Sequence, residues 1–279
     1  MAASTDIRKQ AGAVAAPVVA RARGRRLFFD HPKLWNLASV VLVLAIWEIA
    51  GRIPVNIAFP PFSVTFVALV KLIADGSLPL AYLSTLQPLA IGVVVSTVLG
   101  VGLGVFMGLS RAAEWFVAPV FIVLQAAPMA AIIPLLTFVY GIGLLSKTLA
   151  VILLALPVIV LNGYMAVRNA NPSLVAMCRS FGGTRRQQIV KVILPDAAPV
   201  IFAGLRLGIA AGFIGVVLAE LLITPTGIGD LITYHRSVAD YPEMYATIAS
   251  IIVFSALTLW ALQAFETNFL RPERKGVSA

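Results

Sequence analysis

Residues 84–108 read STLQPLAIGVVVSTVLGVGLGVFMG and sit inside an uncharged stretch that runs from Gly76 to Ser110. About 20 mostly apolar residues in a helix cross the roughly 30 Å of a bilayer's hydrocarbon. This run is long enough to span, and within lipid its backbone amides must be satisfied by the helix itself. Five further runs of the same kind lie on either side, at 35–51, 116–140, 148–167, 197–222 and 245–265. The 116–140 run is broken up by Pro119, Pro128 and Pro134, and the 148–167 run is fenced by Lys147 and Arg168. The sequence therefore predicts an all-α membrane protein of six transmembrane helices.

Composition agrees with that reading. Of the 279 residues, 60% are hydrophobic and 12% charged, whereas soluble domains average about 45–50% and about 25%. The net charge of +9 does not point to nucleic acid, because the basic residues fall in short clusters between uncharged runs. That pattern sets membrane orientation rather than building a phosphate groove. Sixteen basic residues fall on the side of the N-terminus, in the tail, at Arg111, in 168–195 and after 266. Four fall on the other side, Arg52, Lys71, Lys147 and Arg236, and Arg206 lies within a span. The positive-inside rule then places both termini in the cytoplasm, N-in and C-in. One cysteine, Cys178, excludes an internal disulfide, and two distant histidines, His31 and His235, argue against a metal site.

The implied organisation is a basic cytoplasmic tail over 1–34, a first span and an external amphipathic segment over 35–83, a core over 84–266, and a C-terminal tail over 267–279. In the external segment, Pro60-Pro61 followed by a run from Ser63 to Ile73 reads as a capped helix lying along the outer membrane surface. Glycines recur every four residues at Gly100, Gly104 and Gly108, and again at Gly204, Gly208 and Gly212, giving smooth faces for close helix packing. The segment Gly141 to Thr148 approaches a nucleotide-binding loop, but Ser146 stands where its second glycine belongs. It reads as a tight turn with a snorkelling lysine, Lys147, and no nucleotide site.

The internal loop 168–195 carries the most information. Pro172 can open a short helix after Asn171, Gly182-Gly183 stops it, and Thr184 can cap a second helix before Pro195. Two short amphipathic helices with a glycine joint thus sit outside the apolar slab. Gly182, nine residues, Val192, two residues and Pro195 resemble the glycine-to-proline half of the signature loop of bacterial ABC-importer permeases. Ala176-Met177-Cys178 stands where that family opens with Glu-Ala-Ala. Blocks at Pro134–Gly143, Ile193–Pro199, Ala203–Leu207 and Ala219–Ile232 are similar to the nitrate/sulfonate/taurine-type branch, and the likeness covers roughly residues 60–266.

The resemblance implies a type I ABC importer permease fold and a subunit that is not itself an enzyme. Two cytoplasmic ATPase subunits would bind ATP and Mg, an extracytoplasmic binding protein would deliver a small solute, and two permease copies would form a homodimer in the bilayer. No cofactor is expected in this chain. The loop residues Ser173, Met177, Arg179, Ser180, Phe181, Gly182, Gly183, Thr184 and Arg185 would dock onto the ATPase, with Pro195 as a structural element. Gln125, Pro128 and Met129 on a kinked third span, and Asn162 on the fourth, are pathway candidates, with plain helix–helix hydrogen bonding as the alternative for each. Arg206, roughly 10 Å inside the fifth span, reads as a structural anchor near the coupling loop. Glu220, about 21 Å further along the helix, reads as a gate or receptor contact near the outer mouth. The rival reading is a secondary transporter working alone on an ion gradient.

Overall fold

The computed structural model describes residues 32–53, 58–223 and 225–270. The basic N-terminal tail, nearly all of it within residues 1–31, and the end of the C-terminal tail from 271 lie outside these. Helix α1, Pro32–Arg52, belongs through Ile49 to a unit of its own. The second unit, residues 50–279, contains α2 (Phe62–Ala74), α3 (Ser77–Leu109), α4 (Arg111–Ala126), α5 (Met129–Tyr140) and α6 (Leu144–Arg168). It continues with α7 (Pro172–Ser180), α8 (Arg185–Gln188), a π-helical turn over Ile189–Ile193, α9 (Leu194–Ile223), α10 (Ile228–Ser237) and α11 (Tyr241–Leu270). Among the described residues, five helices are long and apolar enough to cross a membrane, and six spans result if the bent pair α4–α5 is one of them.

Helix α6 is the centre of the second unit, packed between α3 and α9. The glycine series explain why. A Cβ at Gly100 would meet Ile159, one at Gly104 would meet the backbone of Val160 and Tyr164, and one at Gly108 would meet Val167. From the other side, Gly204 lies on Asn162, Gly208 on Ile159 and Gly215 on the backbone of Ala150. Both smooth faces therefore receive the same partner, and close approach replaces the hydrophobic drive that lipid cannot supply. A core of Leu89, Val151, Phe213, Val216, Ile228, Ile232 and Ile251 joins α3, α6, α9, α10 and α11. Outward-facing residues such as Val94, Val98, Ile252, Leu257 and Trp260 remain exposed, as expected where lipid is the solvent.

Several expectations change. The third run is two helices bent by 100°. The break falls at Pro128, where Ala127 is extended at ψ 139°, the conformation a following proline imposes. Pro119 and Pro134 stay inside their helices. The second short helix does not stop before Pro195: helix continues from Arg185 to Ile223. The π-helical turn makes this possible, with the Leu194 N–H donating to Ile189 O. Proline lacks a donor and crowds the carbonyl four residues back, and a widened turn relieves both. The external helix exists as α2, but its N-cap is Pro61 with no side-chain cap. It packs through Ala68 and Leu72 against Leu78 and Ala246. Helix α10 is an element the hydropathy did not separate.

Candidate functional site

The loop between α6 and α9 is built from local signals. The Asn171 side chain accepts from Ser173 N–H at 3.0 Å, and Pro172 takes the first helical position. Helix α7 ends at Ser180 with Phe181 as its C-cap, and Gly182 turns the chain with φ +73°, which glycine adopts without strain. Gly183 is held tightly, since a Cβ there would meet Cys178 O at 2.7 Å. Thr184 then starts α8 with a capping box: Gln187 N–H donates to Thr184 Oγ1 at 3.3 Å, and Thr184 N–H donates to Gln187 Oε1 at 2.8 Å. Asp196 ties the loop to α9 by accepting from Asn171 N–H at 2.8 Å.

The loop's outward side carries Ser173, Met177, Arg179, Ser180 and Arg185, all exposed, and Phe181 at the joint is 84% exposed. A phenylalanine so exposed beyond the ends of the spans is an unfilled apolar knob among arginines. With Leu174 and Met177 also exposed, the loop groups three apolar side chains at helical spacing rather than one stray residue.

A second feature lies inside the bundle. Lys147, in the first turn of α6, does not snorkel; it is 3% exposed. Its ammonium donates to Glu220 Oε1 at 2.8 Å, to Thr226 O at 2.9 Å and to Thr226 Oγ1 at 2.9 Å. All three of its protons are used. Glu220 is 2% exposed, and its carboxylate also accepts from Gly229 N–H at 3.1 Å and from the Thr85 hydroxyl at 2.9 Å. Thr85 in turn accepts from Ile228 N–H at 3.0 Å. Gly227, at φ +98°, and Gly229 let the chain after α9 settle onto the carboxylate, where any Cβ would collide with Glu220. The pair thus pins the start of α10 to α3, α6 and α9. In this structure the Glu220 side chain is enclosed by its ion pair with Lys147 rather than extended into open space.

The pathway candidates do not converge on one site. Gln125 and Pro128 are exposed at the α4–α5 bend and Met129 is half-buried. The Asn162 amide turns back to donate to Val158 O at 2.8 Å, against α9 at Gly204. Gly204 lies sixteen residues before Glu220, about 24 Å along α9. Arg206 reaches the far end of α11, 3.6 Å from Glu266, rather than the coupling loop. Glu114, which no sequence pattern singled out, accepts from Tyr164 O–H at 2.6 Å and lies 3.9 Å from Arg168.

At the α2–α11 junction, Lys71 donates to Glu243 at 2.9 Å while remaining 67% exposed, so the pair contributes little by itself. A hydrogen bond with the Glu243 carboxyl, then burial and the like charge of Glu243, hold the Asp240 carboxyl above its ordinary value, against the pull of His235 and Lys71. A raised acid favours the protonated form, so this group stabilises the fold at low pH and the contribution is lost as pH rises through its folded pKa. Wild type is therefore expected to lose thermal midpoint relative to Asp240→Asn as pH rises through the folded pKa of Asp240. Asp240→Asn, which keeps a donor toward Glu243 at every pH, removes that part of the slope. An unchanged slope in the variant contradicts this.

Comparison with known proteins decides the class. The family described as binding-protein-dependent transport system inner membrane component matches residues 97–271. The chain belongs to this family. It is an inner-membrane, multi-pass permease of ABC importers and not an enzyme. It is 29% identical to the aliphatic sulfonates transport permease protein SsuC of Bacillus subtilis, over 85% of this chain and 86% of that one. It is 30% identical to the riboflavin transport system permease protein RibX of Chloroflexus aurantiacus, over 84% of this chain and 88% of that one. Among solved structures, a chain of the MetNI methionine ABC transporter in an inward-facing conformation superposes with a TM-score of 0.55. It covers 69% of this permease and 95% of that chain at 18% identity. That likeness establishes the fold, a type I ABC importer permease.

Proposed function

We propose that the permease moves a small solute, a sulfonate-, nitrate- or taurine-like anion or a related small organic nutrient, that an extracytoplasmic binding protein delivers. Two copies form the pathway, with N- and C-termini in the cytoplasm, and two cytoplasmic ATPase subunits supply the ATP and Mg chemistry. The observation that carries this reading is the α7–Gly182–α8 loop with Phe181 and Met177 exposed at its tip. A groove on an ATPase can take that knob, and movement of the groove then pulls on α9 through the continuous helix from Arg185. Ser173, Arg179, Ser180, Gly183, Thr184 and Arg185 frame the contact. Gln125, Pro128, Met129 and Asn162 remain the side chains assigned to the route.

The test is Gly182→Val with the partner ATPase co-expressed. A β-branched residue at φ +73° costs about 1–2 kcal/mol, or about tenfold in population of the docked loop. The variant is expected to insert at normal levels while binding-protein-dependent uptake falls by about tenfold or more. Unchanged uptake together with unchanged ATPase capture rejects the docking role. Uptake in proteoliposomes that hold the permease alone and a solute or ion gradient would instead favour a stand-alone carrier.

A further inference from the structure

A cavity of about 450 Å³ opens where α3 and α6 end. Gly108 and Leu109 of α3 and Val167 of α6 form its apolar wall, and Ile189 and Ile193 of the π-helical turn close it. Opposite them stand Arg179, in the last turn of α7, and Arg185 and Gln188 of α8. The two arginines flank the Gly182–Gly183 joint. Among the described residues neither guanidinium has an acidic partner. The acidic groups of this end are already engaged, Asp196 by Asn171 N–H and Glu114 by Tyr164 and Arg168.

The height of the cavity matters as much as its charge. Leu109 and Arg168 are the last residues of α3 and α6, so the cavity lies at the end of the spans that carries the basic loop, on the side of the adjoining leaflet's headgroups. Arginine's planar fork suits a phosphate in bidentate fashion. Basic pockets between spans on the cytoplasmic side are suited to anionic headgroups.

We propose that Arg179, Arg185 and Gln188 form a site for a phosphate-bearing anion. The anion comes from the headgroup of an acidic phospholipid in the adjoining leaflet or from free phosphate in the water. Held by one arginine from α7 and one from α8, it bridges the glycine joint and fixes the angle between the two short helices. Occupancy thereby stiffens the loop that the family presents to its ATPase.

The full-length permease in a neutral detergent, titrated with phosphatidylglycerol, phosphatidylcholine or inorganic phosphate, gives the test through its thermal midpoint. Phosphatidylglycerol is expected to protect saturably and phosphatidylcholine not to. Arg179→Gln with Arg185→Gln is expected to weaken that binding by about thirtyfold. Arg186→Gln, which lines a different surface, leaves it unchanged. Arg179→Lys with Arg185→Lys keeps the charge without the fork and falls in between, which reports on the site even if the glutamine pair folds poorly. Equal protection by inorganic phosphate, lost in the same variant, supports the anion site with a water-borne ligand. Equal protection of wild type and both double variants overturns the proposal, as does protection by none of the anions. Loss of ATPase capture in the glutamine pair with no anion effect on wild type also overturns it, making these arginines a docking surface only.

Discussion

Lys147→Met is expected to be among the most damaging single substitutions in the permease. It leaves the Glu220 carboxylate 2% exposed with no counter-charge, and strips Thr226 of two hydrogen bonds. Removing one partner of a buried ion pair costs about 3–5 kcal/mol. The double variant Lys147→Met, Glu220→Gln leaves no buried charge at this site and keeps groups for Thr85 and Gly229 to bond. It is expected to recover more than half of the loss. Thermal unfolding of detergent-purified protein, with monodisperse yield as a second readout, measures both. A single variant as stable as wild type, or a double variant no better than Lys147→Met alone, would show that the pair is not what pins α10.

Gly104→Val is the second severe change, for a different reason. The first added atom would sit 2.7 Å from Val160 O and 3.0 Å from Tyr164 N. Both are backbone atoms of α6, so no side chain can swing aside and the helices must separate. Overpacking of this kind costs about 1–3 kcal/mol, and the branched side chain pushes toward or beyond the upper end. Two neighbours give the scale. At Gly163, directly opposite, an added Cβ would stand 3.5 Å from Gly104 Cα, an ordinary contact, so Gly163→Ala is expected to be mild. At Gly102 nothing lies within 4 Å, so Gly102→Ala is expected to cost nothing. Equal sensitivity at 102 and 104 would mean that helix propensity rather than close packing sets the cost.

The contrast between these two glycines shows what sequence can carry. Position 102 and position 104 have the same residue in the same helix, and the four-residue spacing of Gly100, Gly104 and Gly108 correctly separates them. Spacing selects a face, but it does not say which helix the face meets. That α6 serves both glycine faces follows only from the assembled bundle. The prolines give the opposite case. Pro119, Pro128 and Pro134 are equivalent by sequence, yet only Pro128 breaks the third run. Ile133 is buried against Ala150 and Ala219, while Phe121 and Ala113 are buried with Met107 and Val160. Two packing sites in different directions force the bend between them.

Sequence alone determined the all-helical membrane class, because span length and lack of charge are properties of each segment by itself. It also determined the α7–Gly182–α8 loop, since Asn171-Pro172, the double glycine and the Thr184–Gln187 box act within a few residues. Tertiary structure alone decided the partners of the buried charges. Lys147 reads as a turn residue and Glu220 as a residue near the surface, and 73 positions separate them. Only when α6 and α9 lie side by side do three ammonium protons find three acceptors. The same holds for the cavity beneath α3: Leu109, Val167 and Arg185 have no periodic relation. They meet because α3 and α6 end side by side and the glycine joint brings the basic helices against that end.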